Sequence, residues 1–208
     1  MPQGWRTPLN FGLLLMLIAI ALGFALALGV GAKSDRAMLL GFAMREGTSA
    51  DWLIATARGI SWLGHPAQRS IIMVACAGWL AWDRRFGAAT AILVVPTLGA
   101  ATSSILKEAF ARIRPDVVPH LDVVQDFSYP SGHAAGAATL FITAALLIGV
   151  QRPRLALITA FVLTAIMGMT RIWLGVHYPS DVIGGWIWGT GCALVGVALA
   201  QRYGVNRK

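Results

Sequence analysis

Apolar positions in this chain fall into runs long enough to cross a bilayer, the clearest being Phe11 to Gly31, which carries no charge. Roughly 20 mostly apolar helical residues cover about 30 Å of hydrocarbon. Further runs at Gln68 to Trp82, Phe86 to Leu106, Gly132 to Val150, Leu155 to Met169 and Val182 to Ala200 predict five more spans. The second span is the weakest, being short and dependent on flanking residues to reach the interface. Between the first two runs, Asp35, Arg36, Arg45, Glu46, Asp51 and Arg58 interrupt apolar stretches such as Met38 to Met44 and Trp52 to Ala57. Lys33 to Ala67 therefore reads as amphipathic interfacial helix. An extra span at Trp52 to Gly64 is disfavoured, because that run holds only about 13 residues and Arg58 near its middle would cost about 2.5 to 3.5 kcal/mol at the bilayer centre. The pattern predicts an all-α protein: one membrane domain over residues 1–208, a six-helix bundle with an interfacial segment between its first two spans.

Composition agrees, since 57% hydrophobic and 12% charged residues with a mean hydropathy of +0.67 exclude an ordinary soluble domain. The charges also orient the spans. One side collects Arg6, Arg84, Arg85, Arg152, Arg154, Arg202, Arg207 and Lys208 against Asp83 alone, which places that side, and both termini, in the cytoplasm. The formal charge of +8 and pI near 10.5 do not indicate nucleic acid, for no basic face with interleaved aromatics occurs. Trp5, Trp52, Trp62, Trp82 and Trp173 fall near span ends, where amphipathic rings favour the headgroup region. Arg6 ahead of the first run has the flavour of a signal peptide, but the run exceeds the usual 7 to 15 residues, so it is expected to stay as an anchor. Cys76 and Cys192 lie in apolar runs and read as small hydrophobes, with no disulfide expected. Gly185 and Gly189 have the spacing of a close helix contact inside the bundle.

Almost all the chemistry-bearing residues of the second half sit in three strings: Lys107 to Pro115 (KEAFARIRP), Pro130 to His133 (PSGH) and Arg171 to Asp181 (RIWLGVHYPSD). Seven residues separate Lys107 from Arg114, nearly two helical turns. If the third span's helix continues to Pro115, both cations share a face, while Arg112 lies off it and is expected at the interface. Arginine suits a bidentate grip on phosphate and lysine supplies a mobile charge. Pro130 and Ser131 open a helix whose first N–H groups and positive dipole end form an anion site. There Gly132 admits a phosphate to the backbone, Ser131 offers a hydroxyl, and His133 stands on the first turn. In the third string Pro179 suits a helix's first turn, leaving His177 just outside and Asp181 within reach to orient its imidazole. All three strings fall on the side opposite the cytoplasmic cations, so the site is expected to face the periplasm or its equivalent, as in a bacterial inner (plasma) membrane protein.

Together the strings resemble the signature of the type 2 phosphatidic acid phosphatase superfamily, K-x6-R-P, P-S-G-H and S-R-x5-H-x3-D, in order and in spacing. Thr170 replaces the usual Ser, keeping a hydroxyl but adding a methyl; it is a doubtful site residue. The motifs cover about 25 of the 208 residues. The resemblance implies that His177 attacks phosphorus to give a phosphohistidine, that Asp181 orients it, and that His133 protonates the leaving oxygen and later assists water. It also implies that Lys107, Arg114, Ser131, Gly132 and Arg171 hold phosphate, without metal or cofactor. The expected activity is hydrolysis of a lipid phosphomonoester or diphosphate at the outer leaflet. Undecaprenyl diphosphate, phosphatidylglycerophosphate, phosphatidic acid and phosphorylated lipid A all qualify, and oligomeric state is not encoded in the pattern. Asp116 to Tyr129 and Lys33 to Ala67 are expected to line the entrance. A lipid phosphotransferase would use the same intermediate, and a non-catalytic binder or transporter would need the cations but not two histidines. Vanadate haloperoxidases share the pocket but are soluble.

Overall fold

A computed structural model describes residues 6–203; Trp5, Arg207 and Lys208 lie outside the described residues. Eight α-helices and no strand occur among these: α1 Arg6–Ala27, α2 Ala32–Phe42, α3 Asp51–Leu63, α4 Pro66–Trp82, α5 Phe86–Phe110, α6 Gly132–Ile148, α7 Pro153–Trp173 and α8 Pro179–Arg202. Proline stands in the first turn of α4, α7 and α8, where its missing N–H has no helical partner to lose. Five helices, α1, α5, α6 with the short turn that extends it, α7 and α8, are long and apolar enough to cross a membrane. The fourth, α4, has 17 residues. Lys33 to Ala67 contains two short helices, α2 and α3, of 11 and 13 residues.

The bundle is built around α6. Its first half, Ala134, Ala135, Gly136, Ala137 and Ala138, is buried and small, so neighbours approach its backbone closely. The tightest neighbour is α8, where a Cβ on Gly189 would stand 2.2 Å from the Ala135 carbonyl and one on Gly185 2.7 Å from that of Ser131. This glycine seam holds the start of α8 against the start of α6. On the periphery, α1 has 17% of its apolar window buried against 56% for α6. Phe11, Leu17, Ile71, Leu98, Ile158 and Phe161 are all more than half exposed, an outer surface suited to hydrocarbon rather than water. Trp52, Trp62 and Trp82 are exposed at helix ends.

Helix α5 stops short of the expected length. It ends at Phe110, where Ala111 takes a left-handed conformation at φ 42°, so Lys107 and Arg114 do not share a helical face. The connector that follows is pinned over the end of the bundle where α6 and α8 begin: Ser128 N–H donates to the Arg112 carbonyl at 2.7 Å and Leu121 N–H to the Leu174 carbonyl at 2.9 Å. Arg58 of α3 adds a 2.7 Å bond to the Leu121 carbonyl.

Candidate active site

Helix α7 delivers Arg171 and then breaks into a tight turn. Gly175 adopts φ 75°, and a Cβ there would meet the Pro119 carbonyl at 2.9 Å; a side chain is excluded both by the backbone angle and by the connector. The turn aims His177 inward, 1% exposed. Two residues later α8 begins, and the Tyr178 N–H donates to Asp181 Oδ2 at 2.9 Å, fixing the carboxylate in the helix's first turn.

The His177 imidazole is held from both sides. Its Nδ1 lies 3.5 Å from Asp181 Oδ2, beyond a good hydrogen bond, and Ser128 touches both. Ser128 Oγ donates to Asp181 Oδ2 at 2.5 Å and lies 3.3 Å from His177 Nδ1. The carboxylate thus orients the ring through a hydroxyl as well as by its own charge. On the far nitrogen, Arg114 Nη1 approaches Nε2 to 3.1 Å while donating to the Val176 carbonyl at 2.7 Å. With Nδ1 carrying the proton, the Nε2 lone pair faces the cations. Burial, then the charges of Arg114, Lys107 and Arg171, push the His177 pKa well below the usual histidine range, which favours the neutral imidazole.

Lys107, Arg114 and Arg171 converge here although α5 has already ended. Lys107 Nζ pairs with Asp126 at 3.0 Å and bonds the Phe127 carbonyl. Arg114 pairs with the other oxygen of Asp126 and bonds its carbonyl at 2.7 Å. Arg171, 1% exposed, pairs with Asp122 and Ser61. Burial by itself would raise the two connector carboxyls, but the cations outweigh it: Asp126 is held at about 2 and Asp122 below the usual carboxylate range. Lys107 also passes Gly132, whose Cβ would be 3.6 Å from its Cε.

Three buried polar atoms of the expected site have no protein partner: Ser131 Oγ, His133 Nε2 and Arg171 Nε. Orphaned donors and acceptors are costly unless a ligand meets them. His133, on the first turn of α6, packs edge-on against His65 with ring centroids 5.1 Å apart. Thr170 turns away, its hydroxyl donating to the Met167 carbonyl of its own helix at 2.7 Å.

Four residues not expected from the motifs complete the arrangement. Arg112, expected to snorkel to the interface, instead bridges Asp181 at 2.5 Å and Asp35 of α2 at 2.8 Å, because Ala111 turns the chain inward. Asp35, 3% exposed, also accepts the Ser180 N–H at 3.0 Å. Ser61 and Ser128 belong to the segments expected only to line the entrance. Asp35, Asp122 and Asp126 mean that Asp181 is not the lone carboxylate here, though each is engaged by a cation.

Residues 88–204 match the family model described as the PAP2 superfamily. Phosphatidylglycerophosphatase B of Bacillus subtilis is 31% identical over 141 residues, 64% of this chain and 68% of that protein. Decaprenylphosphoryl-5-phosphoribose phosphatase of Mycobacterium tuberculosis is 34% identical over 155 residues, 73% of this chain and 77% of its own. The crystal structure of the transmembrane PAP2-type phosphatidylglycerolphosphate phosphatase of Bacillus subtilis superposes with a TM-score of 0.84 over 92% of this chain and 96% of that one, at 24% identity.

Proposed function

The chain belongs to the PAP2 superfamily, and from that premise we propose that it is a membrane lipid phosphatase working through a phosphohistidine on His177. The observation that carries this reading is the imidazole itself: one nitrogen is tied to Ser128 and Asp181 while the other faces Arg114. Phosphate replaces Asp126 and Asp122 on Lys107, Arg114 and Arg171, and takes the first N–H groups of α6 and the Ser131 hydroxyl. Nε2 of His177 then attacks phosphorus, the bond to the leaving oxygen breaks, and His133 gives that oxygen its proton. In the second step His133 takes a proton from water, water oxygen bonds to phosphorus, and the P–N bond breaks to free phosphate. The cations and N–H donors stabilise the charge on the equatorial oxygens throughout.

This chemistry calls on no metal. Activity in detergent should persist in EDTA, and vanadate, which mimics the five-coordinate transition state, should inhibit competitively. Phosphate should appear free in solution rather than on a second lipid, which separates the hydrolase from a transferase. Loss of activity in EDTA with recovery on adding magnesium would sink this mechanism.

In the membrane we read six crossings, with α4 as the second. At 1.5 Å per residue it spans about 26 Å, so it needs its flanks to reach both interfaces. The cytoplasmic cations then lie opposite the site, which opens at the outer leaflet of a plasma membrane with both termini inside, and α2 and α3 lie along the interface. With Cys76 and Cys192 replaced, a cysteine at Val123, which is 84% exposed, should react with an impermeant maleimide in intact cells, and one at Arg152 should not. Outside labelling at Arg152 would invert the topology.

A further inference from the structure

Arg69 is a cation beside the site that the mechanism above does not use and that no aspartate among the described residues holds. It stands one turn into α4, in a cleft between α4, α5 and α6 walled by Met73, Pro96, Ala100 and Leu140. Its guanidinium occupies the space a side chain on Gly136 would need, since a Cβ there would lie 1.0 Å from Nη1. Lys107, Arg112, Arg114 and Arg171 each pair with an aspartate. Arg69 has a single 3.3 Å bond from Nη1 to the Gly132 carbonyl, and its Nε is buried without a partner. Among the described residues no carboxylate meets it. A guanidinium turned inward between apolar walls without a counter-ion is unfavourable, and an anion from outside the chain would relieve it.

Its position says which anion. Arg69 N–H bonds the His65 carbonyl at 3.1 Å, and the His65 ring packs on that of His133, so Arg69 lies on the His133 side of the site, as its bond to Gly132 also requires. In the reading above His133 protonates the leaving oxygen. A leaving group extending beyond that oxygen on this side would meet Arg69 and the apolar cleft next to it.

We propose that Arg69 forms a leaving-group subsite for a second phosphoryl anion, so that the protein prefers lipids whose leaving group is itself charged. This rests on the phosphatase reading and narrows it. Two sources share that chemistry, the inner phosphate of a lipid diphosphate and the phosphodiester of a phosphatidylglycerophosphate. Simple lipid monophosphates lack it.

Two substrate pairs with matched tails test the idea: farnesyl diphosphate against farnesyl phosphate, and phosphatidylglycerophosphate against phosphatidic acid. In Arg69→Met the kcat/KM ratio within a pair should fall about 10- to 100-fold, the range for a lost hydrogen bond between charged groups. Arg69→Lys should recover part of it. Gly136→Ala, which keeps the arginine but fills its seat, should lower the same ratio. A fall confined to one pair identifies the source as diphosphate or phosphodiester. Unchanged ratios in both pairs, or equal loss for both members with a lowered Tm, would overturn the assignment. Dissociation constants for the non-hydrolysable farnesyl methylenediphosphonate and farnesyl phosphonate read the subsite without turnover. If neither pair is hydrolysed yet Arg69→Met still lowers that affinity ratio, the phosphatase reading fails while the subsite stands; an unchanged affinity ratio rejects the subsite.

Discussion

His177→Ala should abolish turnover of every substrate and leave no acid-labile phosphoenzyme, because the nucleophile is gone. His133→Ala should behave differently. General acid catalysis is typically worth about 10² to 10⁴ in rate, so hydrolysis of a lipid phosphate, whose alkoxide leaves poorly, should fall by that much. p-Nitrophenyl phosphate needs no proton on its leaving group. With it, His133→Ala should release a burst of nitrophenol and then accumulate phosphoenzyme, since water lacks its base. Rapid-quench kinetics read both events, and loss of the burst in both variants with no phosphohistidine at His177 would mean the roles are misassigned. The pH dependence follows from burial. In the proposed mechanism His177 attacks as the neutral imidazole, and burial, then Arg114, Lys107 and Arg171, lower its pKa. The acid limb of kcat/KM that reports His177 should therefore lie below the usual histidine value of about 6.5.

Asp181→Asn should lower kcat about 10³- to 10⁴-fold, the scale seen when a histidine loses the carboxylate that fixes its tautomer. Three contacts make the effect large. The amide cannot accept Ser128 and Tyr178 while also balancing the charge of Arg112, which is left with Asp35 alone. Asp35→Asn should cost less, because Asp181 still holds Arg112 and Ser128 still links it to His177. Steady-state kinetics beside thermal unfolding separate lost orientation from lost fold. A near-normal kcat for Asp181→Asn would remove the carboxylate from the mechanism.

The long apolar helices and the three motifs were legible because each rests on local regularity: runs without charge, proline at helix starts, fixed spacings. What escaped was set by chain reversals. Nothing in KEAFARIRP signals that Ala111 turns left-handed, so Lys107 and Arg114 were expected on one helical face and Arg112 in the headgroups. Asp35 carries no mark distinguishing it from other interfacial acids, 77 residues before the arginine it holds. Its lone carboxylate in the first turn of α2 looks like ordinary helix-end chemistry. Ser128 likewise belongs to a stretch without periodicity, and only the folded connector brings its hydroxyl to His177. Arg69 was visible as a charge at the start of the second apolar run, but the Gly136 notch that receives it lies 67 residues away.

Asp126 and Asp122 sit on the cations that phosphate claims in the proposed mechanism, and both are carried by a connector fastened at Leu121 and Ser128. A tethered group of this kind competes as though present at millimolar concentration. In that mechanism each departing phosphate would leave to a replacement already in place, and the pocket would return to neutrality without waiting for ions from solution. Product would then be shed rather than stored, whereas a lipid whose tail is anchored in the bilayer would displace the connector by mass action that free phosphate lacks.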